Sequence, residues 1–418
     1  CCGAGFPLPP FGTQIGQTIY GDASWDNFGS SVSMSDDGNI MAIGAPFDDG
    51  NQNNDGSVRV YQNFNNTWIQ LGQDIYGEDY EDNSGRSVSI SSDGSILAIG
   101  ALMNDGNGNA AGHVRIYQNV GGSWSQIGDD IDGEAAGDIS GVSVSLSADG
   151  YTLAIGAPGH DNGTGHVRVY NYNGTTWYQI GNDIDGEAAE DQSGESVSIS
   201  ADGNTVAIGA RWNDGVGNSS GLVRIYQNVG GSWSQIGQDI EGEAANDEYG
   251  WSVSLSNDGN TVAIGALDND GNGYNSGHVR VYQNIGGYWS QIGDDIDGEA
   301  ADDNSGYSVS LSADGNRVAI GAVNNDGNGN TSGHVRIYQN VGGYWSQIGN
   351  DIDGEAANDN SGYSVSLSAD GNTLSIGSIG SDVNGTDAGH VRVFSVGGTG
   401  YTSPPCSGCT DSLAVNYD

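Results

Sequence analysis

A chain of 418 residues with 54 acidic and 10 basic side chains carries a formal net charge of -44. Its field repels nucleic acid and anionic membranes and draws cations, so neither polyanion is an expected partner. No apolar run reaches the roughly 20 residues a spanning helix needs, which excludes insertion of that kind. All ten basic residues are arginine, 72 residues are glycine and 35% are hydrophobic. The apolar residues fall in short alternating runs, which a disordered chain lacks.

The chain begins with Cys1 rather than Met, which reads as a processed or partial product. Residues 1–10 form a segment with Cys1, Cys2, Pro7, Pro9 and Pro10. Phe11-Gly-Thr-Gln14-Ile-Gly16 follows as an isolated strand signal. Then a unit repeats seven times, marked by a turn-glycine and x-Ser-Val-Ser at Gly29, Gly85, Gly141, Gly194, Gly250, Gly306 and Gly362. The spacing is 56 residues except once at 53, where the loop between Ala157 and His166 is shorter. Repeats tolerate such changes in loops.

The sixth unit shows its strands in order. Ser308–Ser312 alternates with period two, and Asp314-Gly315 is a tight hairpin signal. Arg317–Ala322 is a second strand, His334–Tyr338 a third and Trp345–Gly349 a fourth. No segment has a helical period. The first three strands occur seven times, but Trp-x-Gln-x-Gly occurs six times, at Trp68, Trp124, Trp177, Trp233, Trp289 and Trp345. The isolated N-terminal strand supplies the missing copy. The expectation is an all-β, closed seven-bladed β-propeller over residues 11–397, with four antiparallel strands per blade. Closure removes the sheet edge that an open array leaves exposed. Residues 398–418 read as a linker and cysteine-containing tail.

Three residue types recur at fixed register. Each third strand carries one arginine (Arg59, Arg115, Arg168, Arg224, Arg280, Arg336, Arg392). Each unit has an aspartate three residues before the turn-glycine (Asp26, Asp82, Asp138, Asp191, Asp247, Asp303, Asp359). Seven of each predicts one structural Asp–Arg pair per blade, since a charge between sheets needs a partner. His113, His166, His278, His334 and His390 share one position. Sheets pack about 10 Å apart, so one ion cannot join these copies. The repeated tryptophans read as outer-strand packing, whereas Trp25, Trp212 and Trp251 break the repeat.

The unit resembles FG-GAP repeats, the blades of the integrin α-subunit head. Phe28-Gly29, Gly44-Ala-Pro46 and Gly56-Ser-Val-Arg-Val-Tyr61 carry the resemblance in blade 1, and Gly156-Ala-Pro158 with Gly165–Tyr170 in blade 3. It implies an extracellular or cell-surface seven-bladed propeller used in adhesion or ligand binding. Family blades often hold Ca²⁺ between the first two strands. Here that place holds Ser-Ala-Asp-Gly-type turns such as Ser147–Gly150, too short to wrap the ion. The tail from Gly408 to Asp418 is similar to modules of secreted microbial multidomain proteins, which implies that the natural polypeptide continues.

In a four-stranded meander the blade-to-blade segments and the second-to-third loops share one face, and most of the acidic residues lie in them. Such a face concentrates cations. The candidate Ca²⁺ ligands are Asp268, Asp270 and Asn272, with Asp326, Asn328, Asp382 and Asn384 in poorer copies; turn chemistry is the competing reading. No other cofactor is expected. Trp25 and Trp212 on this face are candidate sugar-stacking residues. Cys1, Cys2, Cys406 and Cys409 read as disulfide-forming, rather than as redox or zinc ligands, in an extracellular chain. Sequons stand at Asn65, Asn162, Asn173, Asn218, Asn330 and Asn384. The functional expectation is a non-catalytic adhesion or structural module, a repeating protomer of a surface fibre or matrix, whose partners are further copies or surface proteins. The alternative is a glycan-binding, lectin-like propeller dependent on Ca²⁺. Catalysis is not expected, because nearly every polar residue has copies in other blades.

Overall fold

The computed structural model describes residues 9–397. Alternating runs separated by Asp-Gly and Gly-Gly turns fold into seven antiparallel sheets. Blade 2 shows the pattern: Ser84–Ile90 innermost, then Ile96–Ala101, His113–Val120 and Ser123–Gln126. The outer strand is interrupted and resumes as Ile131–Asp132 along the same third strand. Ring closure is as expected. Thr13–Gln14 pairs antiparallel with His390–Ser395, so the N-terminal strand completes blade 7. Ile19–Tyr20 then continues along that strand. The cysteines and the Asp418 tail lie outside the described residues.

The core is divided into seven seams. In the seam between blades 1 and 2, Ala42, Val58, Val60 and Ile75 meet Val88, Ile90, Leu97, Ile99, Tyr117 and Trp124. Each repeated tryptophan bolts its seam from outside. Trp124 Nε1–H donates to the Leu71 carbonyl at 2.9 Å and Trp68 Nε1–H to Ile15 at 2.9 Å, both on the preceding blade. The seam between blades 6 and 7 has no tryptophan. There Phe11 lies over Gly349, as Trp68 lies over Gly16.

Three hydrogen-bond rings run around the axis. The hydroxyls of Ser31, Ser87, Ser143, Ser196, Ser252, Ser308 and Ser364 donate to the turn-glycine carbonyls of Gly85, Gly141, Gly194, Gly250, Gly306, Gly362 and Gly29 at 2.7–2.8 Å. Two residues further on, Ser33 and its copies accept from a backbone N–H of the next blade, ending with Met34 N–H donating to Ser366. A backbone ring from Asp36 through Ser92 and Ala148 to Ala369 closes the third. The first ring needs glycine in the second strand: a Cβ on Gly209 would stand 2.1 Å from the Gly250 carbonyl oxygen.

The expected Asp–Arg pairing is corrected. Each aspartate turns into its own loop, where it accepts a backbone N–H three residues back; Asp82 takes those of Glu78 and Asp79. Short polar side chains prefer such local backbone donors. The arginine's acid stands four residues earlier: Arg115–Glu78 at 3.4 Å, Arg224–Glu187 at 3.6 Å, Arg336–Glu299 at 3.6 Å. The same pairing joins Arg168 to Glu134, Arg280 to Glu243, Arg392 to Glu355 and Arg59 to Asp22. Each acid lies on the connector from the preceding blade, so the clasp joins blades rather than closing one.

Candidate functional site at the axial mouth

The residue after each turn-glycine enters the innermost strand from the acid-rich face. In blades 2, 4, 5, 6 and 7 it sits in a β-bulge: the register skips from Ser84 to Ser87 and from Tyr249 to Ser252, for instance. Bulges re-aim side chains. Here they present Arg86, Glu195, Trp251, Tyr307 and Tyr363 to a central cavity of about 230 Å³, whose ring Ser30 and Val142 complete. The walls below repeat; this ring does not.

The five larger residues form one constellation. Trp251 and Tyr307 have ring centroids 5.3 Å apart, and Tyr307 and Tyr363 4.9 Å. Arg211, from the second-to-third loop of blade 4, lies 4.5 Å from the Trp251 ring and 4.8 Å from Trp212. Its Nε–H donates to Gln192 at 3.0 Å, and Glu195 and Glu248 lie within 3.8 Å. Trp212 Nε1–H donates to Glu248 at 3.3 Å. The result is a partly buried aromatic arc continuous with an Arg–Glu cluster.

Its electrostatics follow from enclosure. Burial pushes the Glu248 carboxyl up despite the opposing Arg211 charge. Burial, reinforced by Tyr363, pushes the Tyr307 phenol far above its ordinary range, so it remains a hydroxyl donor. Burial works against the Arg86 charge, but Tyr363, Tyr307 and Glu195 outweigh it and keep the guanidinium protonated. The mouth thus offers aromatic faces, hydroxyls, a cationic fork and carboxylates together.

The ligand-binding residues expected from the sequence divide. Trp212 joins this cluster. Trp25 stands apart, 61% exposed, and takes part in none of its ring contacts. The proposed Ca²⁺ residues serve the loops themselves. Asp268 accepts from Asn304 at 3.0 Å, Asp270 from the Asn275 N–H at 2.8 Å, and Asn272 donates to the Gly298 and Glu299 carbonyls. Asp326 and Asp382 cap their loops likewise, and Asn328 and Asn384 reach the neighbouring connector. All six sequon asparagines are exposed. The rim carries shallower grooves at the seams, one of about 420 Å³ against Trp233 and Tyr226 and one of about 470 Å³ against Phe394. They belong to the repeating frame.

Arg86, Glu195, Trp251, Tyr307 and Tyr363 do not stand out as a site in the sequence, although Trp251 visibly breaks the repeat. The readable signal is the one variable column, Ser30, Arg86, Val142, Glu195, Trp251, Tyr307 and Tyr363, inside an otherwise uniform G-x-S-V-S. Arg86, Arg211 and Arg317 are also the three arginines outside the repeat, and two of them are here. Arg317 instead ties blade 6 to Gly371 and Asn372.

Fold and site define a closed seven-bladed propeller with one asymmetric axial mouth. Residues 21–61 and 241–282 match the FG-GAP repeat, so the chain carries FG-GAP repeats in at least its first and fifth blades. No curated protein matches it. Among solved structures it is similar to a "putative 6-phosphogluconolactonase" from Bacteroides uniformis, at 11% identity and a TM-score of 0.55, covering 78% of this chain and 85% of that one. It is also similar to the periplasmic gluconolactonase of Pseudomonas aeruginosa, at 16% identity and a TM-score of 0.54, covering 79% and 86%. At these identities the likeness is one of fold.

Proposed function

We propose that this propeller is a non-catalytic adhesion module of extracellular surfaces that recognises carbohydrate at its axial mouth. One observation carries the reading: the sevenfold repetition is broken by side chains converging on the axis, and those side chains suit a sugar. Trp251, Tyr307 and Tyr363 offer faces for the apolar side of a pyranose, while Arg86 and Glu195 can hydrogen-bond its hydroxyls. The net charge of -44 favours neutral or cationic glycans over sulfated or sialylated ones.

A glycan array run with Ca²⁺ and with chelator, followed by calorimetry on the best hit, tests this. Binding by the native chain should weaken at least about tenfold in Trp251→Ala, the scale of losing one stacking face. Trp25→Ala should bind normally. An empty array in both conditions removes the carbohydrate reading. Turnover of a sugar lactone that disappears in Glu195→Gln would replace binding by catalysis, the activity named for the two structures of similar fold.

A further inference from the structure

Blade 3 departs from its copies on the acidic face. In blades 2, 4, 5 and 6 an asparagine of the second-to-third loop donates to the connector aspartate: Asn104 to Asp82, Asn213 to Asp191, Asn269 to Asp247 and Asn325 to Asp303. The shorter loop of blade 3 replaces that asparagine with His160. It sits in an irregular turn, His160–Gly163, with Asp161 and Asn162 at φ 46° and 59°. Its Nδ1 lies 3.2 Å from Asp138 Oδ2 without the alignment of a hydrogen bond. Its ring stacks on His166 with centroids 4.0 Å apart. Cross-blade spacing argued against metal at the repeated histidines; this pair arises within one blade, from the sixth, off-pattern histidine.

His166 is fully buried, and among the described residues neither ring nitrogen has a hydrogen-bond partner. Buried polar atoms are rarely left so, and an ion is one explanation. A His166 nitrogen lies within 4.8 Å of ligand atoms of both Glu134 and His160, and in a second grouping of Asp183 and Asp185. Blade 5 provides the contrast. It offers one imidazole, His278, with Glu243 and Asp295, and Arg280 already binds both acids. Arg168 in blade 3, like Arg115 and Arg336 in blades 2 and 6, spends one nitrogen on a backbone carbonyl and reaches one acid, so the second imidazole is what sets blade 3 apart.

We propose that Glu134, His160 and His166 form a binding site for a borderline divalent transition metal of the zinc class, with Asp138 orienting His160. Two imidazoles and a carboxylate are a zinc donor set and a poor one for Ca²⁺, which takes oxygen. Tetrahedral zinc needs donor atoms about 3.3 Å apart. His166 is fixed in the seam, so the more exposed Glu134 and His160 make the adjustment. The aspartate beside His160 matches the carboxylate–histidine arrangement that orients metal ligands. The ion would tie the connector from blade 2 to the loop and third strand of blade 3.

The test titrates the full chain with ZnCl₂ by calorimetry at pH 7.5 and with CoCl₂ by visible absorption. The variant is His160→Asn, the residue four other blades carry, which keeps the contact to Asp138 and should fold normally by circular dichroism. The native chain should bind one Zn²⁺ that excess Ca²⁺ does not displace, and Co²⁺ should give a tetrahedral absorption band. His160→Asn should lose about a hundredfold in affinity and lose the band. Equal affinity in both proteins, or only weak binding that Ca²⁺ displaces, overturns the proposal by assigning the uptake to diffuse surface charge.

Discussion

Replacing Gly209 with alanine tests whether the innermost ring sets the distance between blades. Gly209 sits in the second strand of blade 4, and an added Cβ would stand 2.1 Å from the Gly250 carbonyl oxygen and 2.4 Å from Ser196 Oγ. The carbonyl cannot retreat alone, because Ser196 donates to it at 2.8 Å. Blade 5 must back away by roughly 1 Å or the hydrogen bond must break; overpacking of this kind costs about 1–3 kcal/mol and the lost bond about 1 more. Ser196→Ala removes the bond without the clash and should cost only about 1 kcal/mol. At about 2.1 cal/mol/K per residue of unfolding entropy, a propeller this size loses about 1 °C of Tm per kcal/mol. Calorimetry should therefore show a drop of about 2–4 °C for Gly209→Ala and about 1 °C for Ser196→Ala. Gly250 also precedes Trp251, so Gly209→Ala should weaken ligand binding at the mouth as well. A Gly209→Ala protein no less stable than Ser196→Ala would falsify the claim that this contact spaces the blades.

Two further perturbations address closure and acid stability. Removing residues 1–17 takes away the outer strand of blade 7 and exposes the Ser395 edge; light scattering should show self-association and thermal unfolding should come earlier. An unchanged monomer with an unchanged Tm would mean the strand adds nothing. His390 is buried beside Tyr20, and burial, with Arg392 adding to it, lowers its pKa to about 3. Its stabilising effect is complete above the unfolded value near 6.5 and is lost as pH falls from there toward 3, on the order of a few kcal/mol in all. Leucine already occupies the equivalent place in blade 4, as Leu222, so His390→Leu should fold at pH 7 and lose less stability between pH 6.5 and 4. Parallel stability curves for the two proteins would assign acid sensitivity to other groups.

The architecture was legible because repetition multiplies weak signals. Ser-Val-Ser, Asp-Gly and Val-Arg followed by Val or Ile each say little alone, but seven copies in one register, plus the displaced Phe11–Gly16, leave one closed ring. Phe11 standing in for the seventh tryptophan was not legible, because the substitution is offset by one residue and shows only in how the ring covers Gly349. Reading for repetition also hid the site. It treats the column of Arg86, Glu195, Trp251, Tyr307 and Tyr363 as noise, although variation inside a uniform frame is where one ligand can be told from seven equivalent faces. The arginine clasp was placed four residues off because Asp82 and its copies satisfy local backbone donors first. His160 escaped notice because its meaning depends on a three-residue shortening that puts it against His166.

The serine–glycine ring has a mechanical consequence. Each link joins neighbouring blades and the seventh returns to the first, so the ring behaves as a hoop. An outward pull on one blade raises tension along the circumference, and links in all seven seams must stretch before any single one gives way. Rupture then requires several hydrogen bonds to fail together rather than in sequence, and the load falls on the innermost strands that frame the axial mouth. A partner tugging on blade 5 would thus be resisted by the whole circle, and the geometry around Trp251 would hold under strain until the hoop itself opened.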